Sequence, residues 1–464
     1  MILVLISPRQ AGLPFAQWLP EEAGRLVAVT AEGAPVGEGF TQVLTVPDYT
    51  DDDAVLTAAR EVARRHRPRA VLALAEADVE RAALLRRELA LPGLDSTTAA
   101  AYRDKVLMKQ YASAAGLSVP AFAPVASVGD IKAFMAAHPG RVVVKPRSGS
   151  GSTGVHVLGA PGQADALAVQ VAGGSYEVEE FVDGTLHHVD VFRAEGEPVA
   201  AVASRYTGAG CLTHWEDAPL GSRNLDPADP LHERLVDETW RLIDALPSPD
   251  TLCAHAEFFV TDSGRIVLCE VAARIGGGPI PAMLRHILGT DPRELWARVE
   301  CGLPVALDAV REHARTAPRA AFCGIPPKHG RVLRLPEPPP GATDFVLNTR
   351  IGDDWSGERY RLRKSGDFLA TWVITDPDPA VLDSRLDATA QLVGAGFGWD
   401  DTDFGRDDTD FGRDDTDPPA PVSAAPTPTA PTRAVPVPAV PVSATPTPTA
   451  PVPAASGRTE GGTR

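Results

Sequence analysis

The stretch that decides the fold runs Cys253-Ala254-His255-Ala256-Glu257-Phe258-Phe259-Val260-Thr261-Asp262-Ser263-Gly264-Arg265-Ile266-Val267-Leu268-Cys269-Glu270-Val271. Two apolar runs flank a polar turn, the pattern of a β-hairpin. With Ser263-Gly264 as a two-residue turn, Glu257 pairs with Glu270, Phe259 with Leu268 and His255 with Ala272. Alternation then sets His255, Glu257 and Phe259 on one face. Directly opposed carboxylates have Cβ atoms about 5 Å apart and repel each other. A divalent cation between them removes the conflict. Oxygen ligation with few protein carboxylates suits Mg2+, with Mn2+ as the alternative, the shell being completed by substrate phosphates. Two readings compete: a register one residue off, which sends the glutamates to opposite faces, and a pair of solvated charges.

Upstream, Val142-Val143-Val144-Lys145-Pro146 reads as a strand, followed by Arg147 and by Ser148, Gly149, Ser150, Gly151, Ser152, Thr153 and Gly154. Three glycines among small hydroxyls can turn backbone N–H groups onto an anion, and Lys145 reaches the same phosphates. The lysine precedes the glycines, so this is no Walker loop. A flexible hairpin tip is the competing reading. Further on, Tyr176-Glu177-Val178-Glu179-Glu180-Phe181-Val182-Asp183-Gly184 is an acidic strand ending at a turn. Such a strand is either a solvated edge or a segment joining two lobes whose backbone groups meet a purine.

Around this centre the chain has 464 residues and a net charge of −17. Charge and proline concentrate at the end. From Asp400 onward there are ten acidic residues against five Arg, with thirteen Pro. Asp-Asp-Thr-Asp-Phe-Gly-Arg at 400–406 repeats at 407–413, and Pro-Val-Ser-Ala-x-Pro-Thr-Pro-Thr-Ala-Pro at 421–431 recurs at 441–451. Such repeats bury too little apolar surface to offset their ordering entropy, so a disordered tail is expected, of a kind that proline-recognition domains bind. The remaining body of roughly 400 residues is long enough for two or three domains. The acidic balance without a Lys/Arg cluster speaks against nucleic acid as a partner. No apolar run approaches the ~20 residues that span a bilayer, so no membrane association is expected. Met1-Ile2-Leu3-Val4-Leu5-Ile6 lacks a basic flank and reads as a buried strand rather than a signal peptide, which makes the expected location cytoplasmic. Five cysteines without a Cys-x-x-Cys pair argue against a disulfide framework and a thiolate zinc site.

The first hundred residues alternate short apolar runs (Met1 to Ile6, Arg25 to Thr30, Gln42 to Val46, Ala70 to Ala75) with helical patterns at Asp51 to Arg65 and Glu76 to Leu89. This rhythm predicts a small parallel sheet with helices on both faces, without the glycine fingerprint of a dinucleotide site, and so a support domain. A helix capped by Ser96 is expected to run through Lys105 and Lys109 to Ala115.

In order, Asp104-Lys105, Val144-Lys145-Pro146 with its loop, Glu179-Glu180-Phe181-Val182-Asp183-Gly184, Glu257 and Glu270-Val271-Ala272-Ala273-Arg274-Ile275-Gly276-Gly277-Gly278 resemble the ATP-grasp superfamily. Within it the chain looks most like carboxylate-amine ligases that include bacterial L-amino acid ligases. The resemblance spans roughly residues 1–400. It implies an α/β (α+β) architecture: a Rossmann-like domain at 1–100 and a two-lobed core at 101–300, with a small lobe to about 175 and a large lobe beyond. A β-rich closing unit at 301–398 and the tail at 399–464 complete it. It implies ATP and Mg2+ as cofactors, small-molecule acid and amine substrates, and leaves a homodimer open.

Position by position, the resemblance implies that Lys105 and Lys145 bind the nucleotide and that Ser148 to Gly154 close over its phosphates. Glu179, Glu180, Phe181 and Val182 are implied at the adenine, Glu257 and Glu270 as magnesium ligands, and Arg274, with Lys145, as the groups stabilising the transferred phosphoryl. A planar guanidinium suits that last role because its fork matches phosphate oxygens. Arg205, Tyr206, His214, Trp215, Gly276 and Gly277 are candidates for lining the acid and amine pockets. Two positions depart from the family: Ala272 stands where an Asn ligand is frequent, and Leu186 where an acidic ribose ligand is frequent. Of His187 and His188, alternation turns one to the cleft. The implied reaction is ligation of an acid to an amine through an acyl phosphate, with ADP and phosphate released. A carboxylase or formyl-phosphate enzyme of the same superfamily, or an ATP-binding module without catalysis, are the alternatives.

Overall fold

The computed structural model describes residues 1–208, 210, 218–361 and 364–400. The tail beyond Asp400, His214 and Trp215 lie outside the described residues, while Trp399 and Asp400, expected at the head of the tail, belong to a short strand.

Four parallel strands open the chain: β1 (Ile2–Ile6), β2 (Leu26–Ala31), β3 (Phe40–Val46) and β4 (Ala70–Ala73), in the order β3-β2-β1-β4. β1 is buried at every position, as a strand covered on both faces must be. Leu3 and Leu5 pack against the helix Asp52–His66, while Ile2, Val4 and Ile6 face a second core shared with the large sheet. Asp51 starts that helix by accepting the Ala54 N–H, and three basic residues end it, complementing its dipole.

A small antiparallel sheet follows, from β5 (Phe122–Val125), β6 (Val142–Pro146), β7 (His156–Leu158) and β8 (Tyr176–Glu180), in the order β5-β8-β6-β7. The larger layer collects β9 (Thr185–Ala194), β10 (Glu197–Tyr206), β11 (Leu220–Asn224), β12 (Leu252–Val260), β13 (Ile266–Ala272) and β14 (Arg319–Ile325). After β15 (Arg331–Arg334) come β16 (Thr343–Leu347), β17 (Ala370–Asp376) and β18 (Gly398–Asp400). The eight-stranded order is β13-β12-β9-β10-β11-β14-β17-β16, antiparallel throughout, and β15 pairs with β18. The strands beyond residue 318 thus continue the large sheet, apart from the β15 and β18 ribbon. Apolar residues of β9 divide cleanly between the faces: Val189 and Val191 meet the helix Pro230–Ala245, whereas Leu186 and Phe192 face the core shared with the first sheet. His188 and Asp190 belong to the second face by alternation.

The expected helix from Ser96 is two helices, Ser96–Arg103 and Lys105–Ala114. Asp95, one residue earlier than expected, caps the first through the Thr98 N–H. The break falls at Asp104, whose carboxylate turns back to accept the Val106 and Leu107 N–H groups and also receives Arg147. An aspartate in extended backbone that satisfies the next helix's orphan donors starts a new helix rather than continuing the old one. Among the described residues no helix is long and apolar enough to cross a membrane.

Candidate functional site

The hairpin carries the central pair, by a route different from the expected one. Val260 pairs with Ile266, Phe259 with Val267 and Phe258 with Leu268, so Phe259 does not oppose Leu268. The turn is one residue longer than Ser263-Gly264: the Thr261 N–H donates to Arg265 O (3.0 Å) and the Gly264 N–H to Thr261 O (2.8 Å). Continued unbroken, this register would oppose Glu257 to Cys269 and send Glu270 to the other face. A bulge at Cys269 inserts the missing residue, and beyond it Glu257 faces Glu270 and His255 faces Ala272. Bulges re-aim side chains in this way next to functional sites.

Lys105, the first residue of its helix, puts Nζ 3.1 Å from Glu270 and donates to Gly149 O at 3.1 Å. Burial pushes the Glu270 carboxyl up, but Lys105, Lys145 and Arg274 outweigh it and hold the group down at about 2. Lys109, one helical turn on, is fully buried. Its Nζ lies 2.6 Å from Glu177 and 2.5 Å from Glu179, and Lys145 reaches Glu179 at 2.6 Å. Burial works against the charge on Lys145, yet Glu179 and its other anionic neighbours raise it well above the ordinary lysine value. Sequence reasoning had assigned Lys109 no role; its four-residue spacing from Lys105 was the available signal.

The third group is Arg274, immediately beyond β13. Its Nε donates to Glu76 Oε2 at 2.5 Å and its NH1 to Ile275 O at 2.9 Å. Glu76 also accepts from Arg103 (2.5 Å), which in turn donates to Ser148 O (2.6 Å) at the head of the glycine loop. The first domain therefore contributes a carboxylate to the site. Burial pushes Glu76 up, but Arg274 and Arg103 hold it below its usual value. Its signal was its place just past the carboxyl end of a parallel strand, where ligands of open α/β sheets bind.

The loop 148–154 folds back on Pro146: a Cβ on Gly149 or Gly154 would lie 3.1 or 3.0 Å from that ring, and Gly151 and Gly154 have φ of +62° and +69°. Ser152, at φ +56°, shares the left-handed conformation. The Gly151 carbonyl accepts the Ser365 N–H at 3.2 Å, so the C-terminal stretch touches this loop. Along the connector, Glu180 gives its N–H to Ala121 O (2.9 Å), Phe181 gives its N–H to Arg141 O (3.0 Å), and the Arg141 guanidinium lies 3.8 Å above the Phe181 ring. Val182 follows, half-buried. Glu179 is buried among lysines instead of facing outward with its neighbour.

Of the pocket candidates, Tyr206 joins the hairpin through its hydroxyl, which donates to Glu257 Oε1 at 3.0 Å. Gly276 does so through its N–H, 3.3 Å from Asp190 Oδ1. Gly277 follows in the same turn, with open space where a Cβ would be. Arg205 does not join them: it pairs with His187 on the opposite face of the sheet and reaches Asp383 at 3.4 Å. Strand alternation separates it from Tyr206 by one step. His188 is the histidine on the hairpin's face, opposite Glu257, and His187 is turned away with Nδ1 on Thr185 O. Leu186 is buried in the apolar core.

The donor set fits a hard divalent cation. Glu257 and Glu270 share one face and offer it carboxylate oxygens. No family model matches the chain. Its sequence is 25% identical over 256 residues to the L-arginine-specific L-amino acid ligase of Bacillus subtilis, covering 52% of this chain. The chain spans 60% of the length of that relative. The L-amino acid ligase of Bacillus licheniformis superposes with a TM-score of 0.68 at 18% identity, over 85% of this chain and 97% of the other. The biotin carboxylase domain of Hydrogenobacter thermophilus 2-oxoglutarate carboxylase, in complex with MgADP, ADP and bicarbonate, gives 0.62 at 13% identity, over 86% and 90%. The chain has the fold of these ATP-grasp enzymes.

Proposed function

We propose that the protein is an ATP-dependent carboxylate-amine ligase that forms an amide bond from a carboxylic or amino acid and an amine or amino acid. The observation that carries this reading is the convergence of Glu257 and Glu270, face to face, with Lys105 on Glu270 and Arg274 beyond the same strand. Facing carboxylates call for a cation, and lysines with a guanidinium call for phosphate. Glu257 and Glu270 would hold Mg2+ against the nucleotide phosphates, and the ion would supply charge neutralisation at the transferred phosphoryl group. Lys145, Lys105 and the loop from Ser148 to Gly154 bind and orient those phosphates. At the connector, the Glu180 N–H is already used, so Glu180 acts on the base through its carbonyl and Val182 through its N–H.

The substrate carboxylate oxygen attacks the γ-phosphorus, the bond to the β-bridging oxygen breaks, and ADP leaves. The amine nitrogen then attacks the acyl carbon, the carbon–oxygen bond to phosphate breaks, and the amine loses a proton to the departing phosphate or to solvent. Arg274, oriented by Glu76, stabilises the phosphoryl oxygens as charge develops on them. Such transfer depends on positioning and charge neutralisation more than on a nucleophilic side chain. The test is to assay ADP, AMP and phosphate with ATP, Mg2+ and panels of acids and amines. ADP and phosphate that require both an acid and an amine support the reading. AMP with pyrophosphate defeats it, turnover that requires bicarbonate replaces it with a carboxylase, and no turnover with any pair leaves a binding module.

A further inference from the structure

Beneath Glu257 lies a buried polar chain that the reaction as derived above does not use. β9 and β12 pair His188 with Glu257 and Asp190 with His255. His188 joins Ser222 Oγ through Nε2 at 2.8 Å and Asp190 Oδ2 through Nδ1 at 2.8 Å. The other oxygen of Asp190 meets His255 Nδ1 at 2.9 Å, and His255 Nε2 lies 3.5 Å from Glu257 Oε1. His188, Asp190 and His255 are 0%, 1% and 6% exposed, so every member must be satisfied within the protein. Gly276 closes the chain from above. Its N–H points at Asp190, and a Cβ there would fall 2.9 Å from His255 Nδ1, so this position has no room for a side chain.

His188, Asp190 and His255 bring their ligand atoms within 4.8 Å of one another, which suggests a metal centre at first sight. The hydrogen-bond pattern argues otherwise. An ionised carboxylate only accepts, so both imidazoles present Nδ1–H to Asp190, and a protonated nitrogen is no ligand. The His255 ring thus lies between two carboxylates, with Nδ1 on Asp190 and Nε2 toward Glu257. It and the Tyr206 hydroxyl address the same oxygen of Glu257, which sets the rotation of that carboxylate about its axis.

We propose that the chain from Ser222 through His188 and Asp190 to His255 is a positioning device for Glu257, and that it sets how tightly the site holds its divalent cation. The proposal rests on the reading of Glu257 as a ligand. Partners that orient a ligating side chain typically contribute 10- to 100-fold in metal affinity. Asp190 is the link whose loss uncouples both histidines. Asp190→Asn keeps the shape but leaves the pair of imidazoles without their shared anion.

The experiment is a titration of the full-length protein with Mn2+ in the presence of a non-hydrolysable ATP analogue, followed by the paramagnetic resonance of the ion. Asp190→Asn is expected to weaken Mn2+ binding about 10- to 100-fold, and to raise KM for Mg2+ by more than it lowers kcat. His255→Gln, which keeps one amide donor, serves as the second variant with an expected loss of at least about tenfold. If both fail to fold, Ser222→Ala, at the far end of the chain, carries the test with an expected weakening of about threefold. Unchanged affinity in Glu257→Gln would remove Glu257 as a ligand and bring down the metal reading itself. Loss in Glu257→Gln, with the relay variants folded and at wild-type affinity, overturns the relay alone. One equivalent of a transition metal in the purified protein, measured by elemental analysis, also overturns it.

Discussion

Two charge clusters adjoin in this fold, with Lys145 of one acting on Glu270 of the other, and they are composed differently. In the small sheet, Lys109 and Lys145 meet Glu177 and Glu179, two cations against two anions, all within the buried range. At the hairpin, Glu257, Glu270 and Asp190 are met by Lys105 and His255, while Arg274 shares Glu76 with Arg103. The first cluster pairs two cations with two anions; in the second, apart from Glu76 with its two guanidiniums, three carboxylates meet Lys105 and His255, and Lys145 also acts on Glu270. A self-neutral buried cluster holds its members in place, since removing one leaves the others without compensation. At the hairpin the two facing carboxylates adjoin the glycine loop through Lys105, which reaches both Glu270 and Gly149 O, and this is where the proposed ion would sit.

The largest effect that tests this contrast is at the hairpin. Glu270→Ala removes one of the two facing oxygens' carriers and is expected to lower Mg2+-dependent ADP formation by about 10^3-fold. The fold should persist, because Glu270 is only half-buried and Lys105 keeps the Gly149 carbonyl as a partner. Comparable activity in this variant would break the assignment of the second cluster as the ion's place. In the small sheet the expected damage is to stability. Lys109→Met leaves Glu177 and Glu179 with Lys145 alone and should cost about 3–5 kcal/mol, read by chemical denaturation. Were Lys109→Met to fold as well as wild type and merely lose nucleotide affinity, the two clusters would be alike in kind.

Acid titration sharpens the difference. The Glu270 carboxyl sits at about 2 against an ordinary 4.5, held there by Lys105, Lys145 and Arg274 despite burial. A depressed carboxylate contributes stability that is present in full above 4.5 and is lost as pH falls towards 2. The melting temperature of wild type should therefore exceed that of Glu270→Gln by a margin that shrinks steadily below pH 4.5. The small-sheet pair behaves differently. Burial pushes both Glu177 and Glu179 up, and only for Glu179 do Lys109 and Lys145 outweigh it. The Glu179 contribution is lost as pH falls below 4.5 and the Glu177 contribution as pH rises above 4.5, so this cluster alone adds a slope of opposite sign on the alkaline side of 4.5. A margin independent of pH would show that Glu270 is not held ionised by its neighbours.

The same contrast explains what could be read in advance. Local periodicity located the four parallel strands to within about two residues, and opposed glutamates on a hairpin are legible because a strand alternates strictly. The pairing of Glu257 with Glu270 was right for a reason that was half wrong: the loop is longer than supposed, and the bulge at Cys269 compensates by one residue. A bulge leaves no mark in composition, so nothing but the charge conflict pointed to it. Lys109, Glu76 and the Asp190 relay went unseen because their partners come from distant segments. Lys109 meets β8, Glu76 meets Arg274 across 198 residues, and Asp190 meets His255 through the adjacency of β9 and β12, which are not consecutive. Arg205 was placed at the pocket with Tyr206, though neighbours in a strand point to opposite faces. Alternation alone excluded one of the two.

The smallest expected effect is also the one that adds a group instead of removing it. Ala272 pairs with His255 and follows Glu270 by two residues, so its side chain shares the hairpin's inner face. It is only 7% exposed, close to Arg274 and the Glu270 carboxylate in a narrow polar recess. Ala272→Asn brings a neutral carbonyl oxygen to that face. If the facing carboxylates there serve a cation, the new oxygen should lower the Mg2+ concentration needed for half-maximal ADP formation by about threefold to tenfold, with kcat little changed. The added volume presses on His255, and overpacking of this kind typically costs about 1–3 kcal/mol. The melting temperature should therefore fall without Mg2+ and recover more than that of wild type when MgATP is added. A variant destabilised equally with and without MgATP would mean that position 272 touches only the protein, and that the ion lies elsewhere than between the two strands.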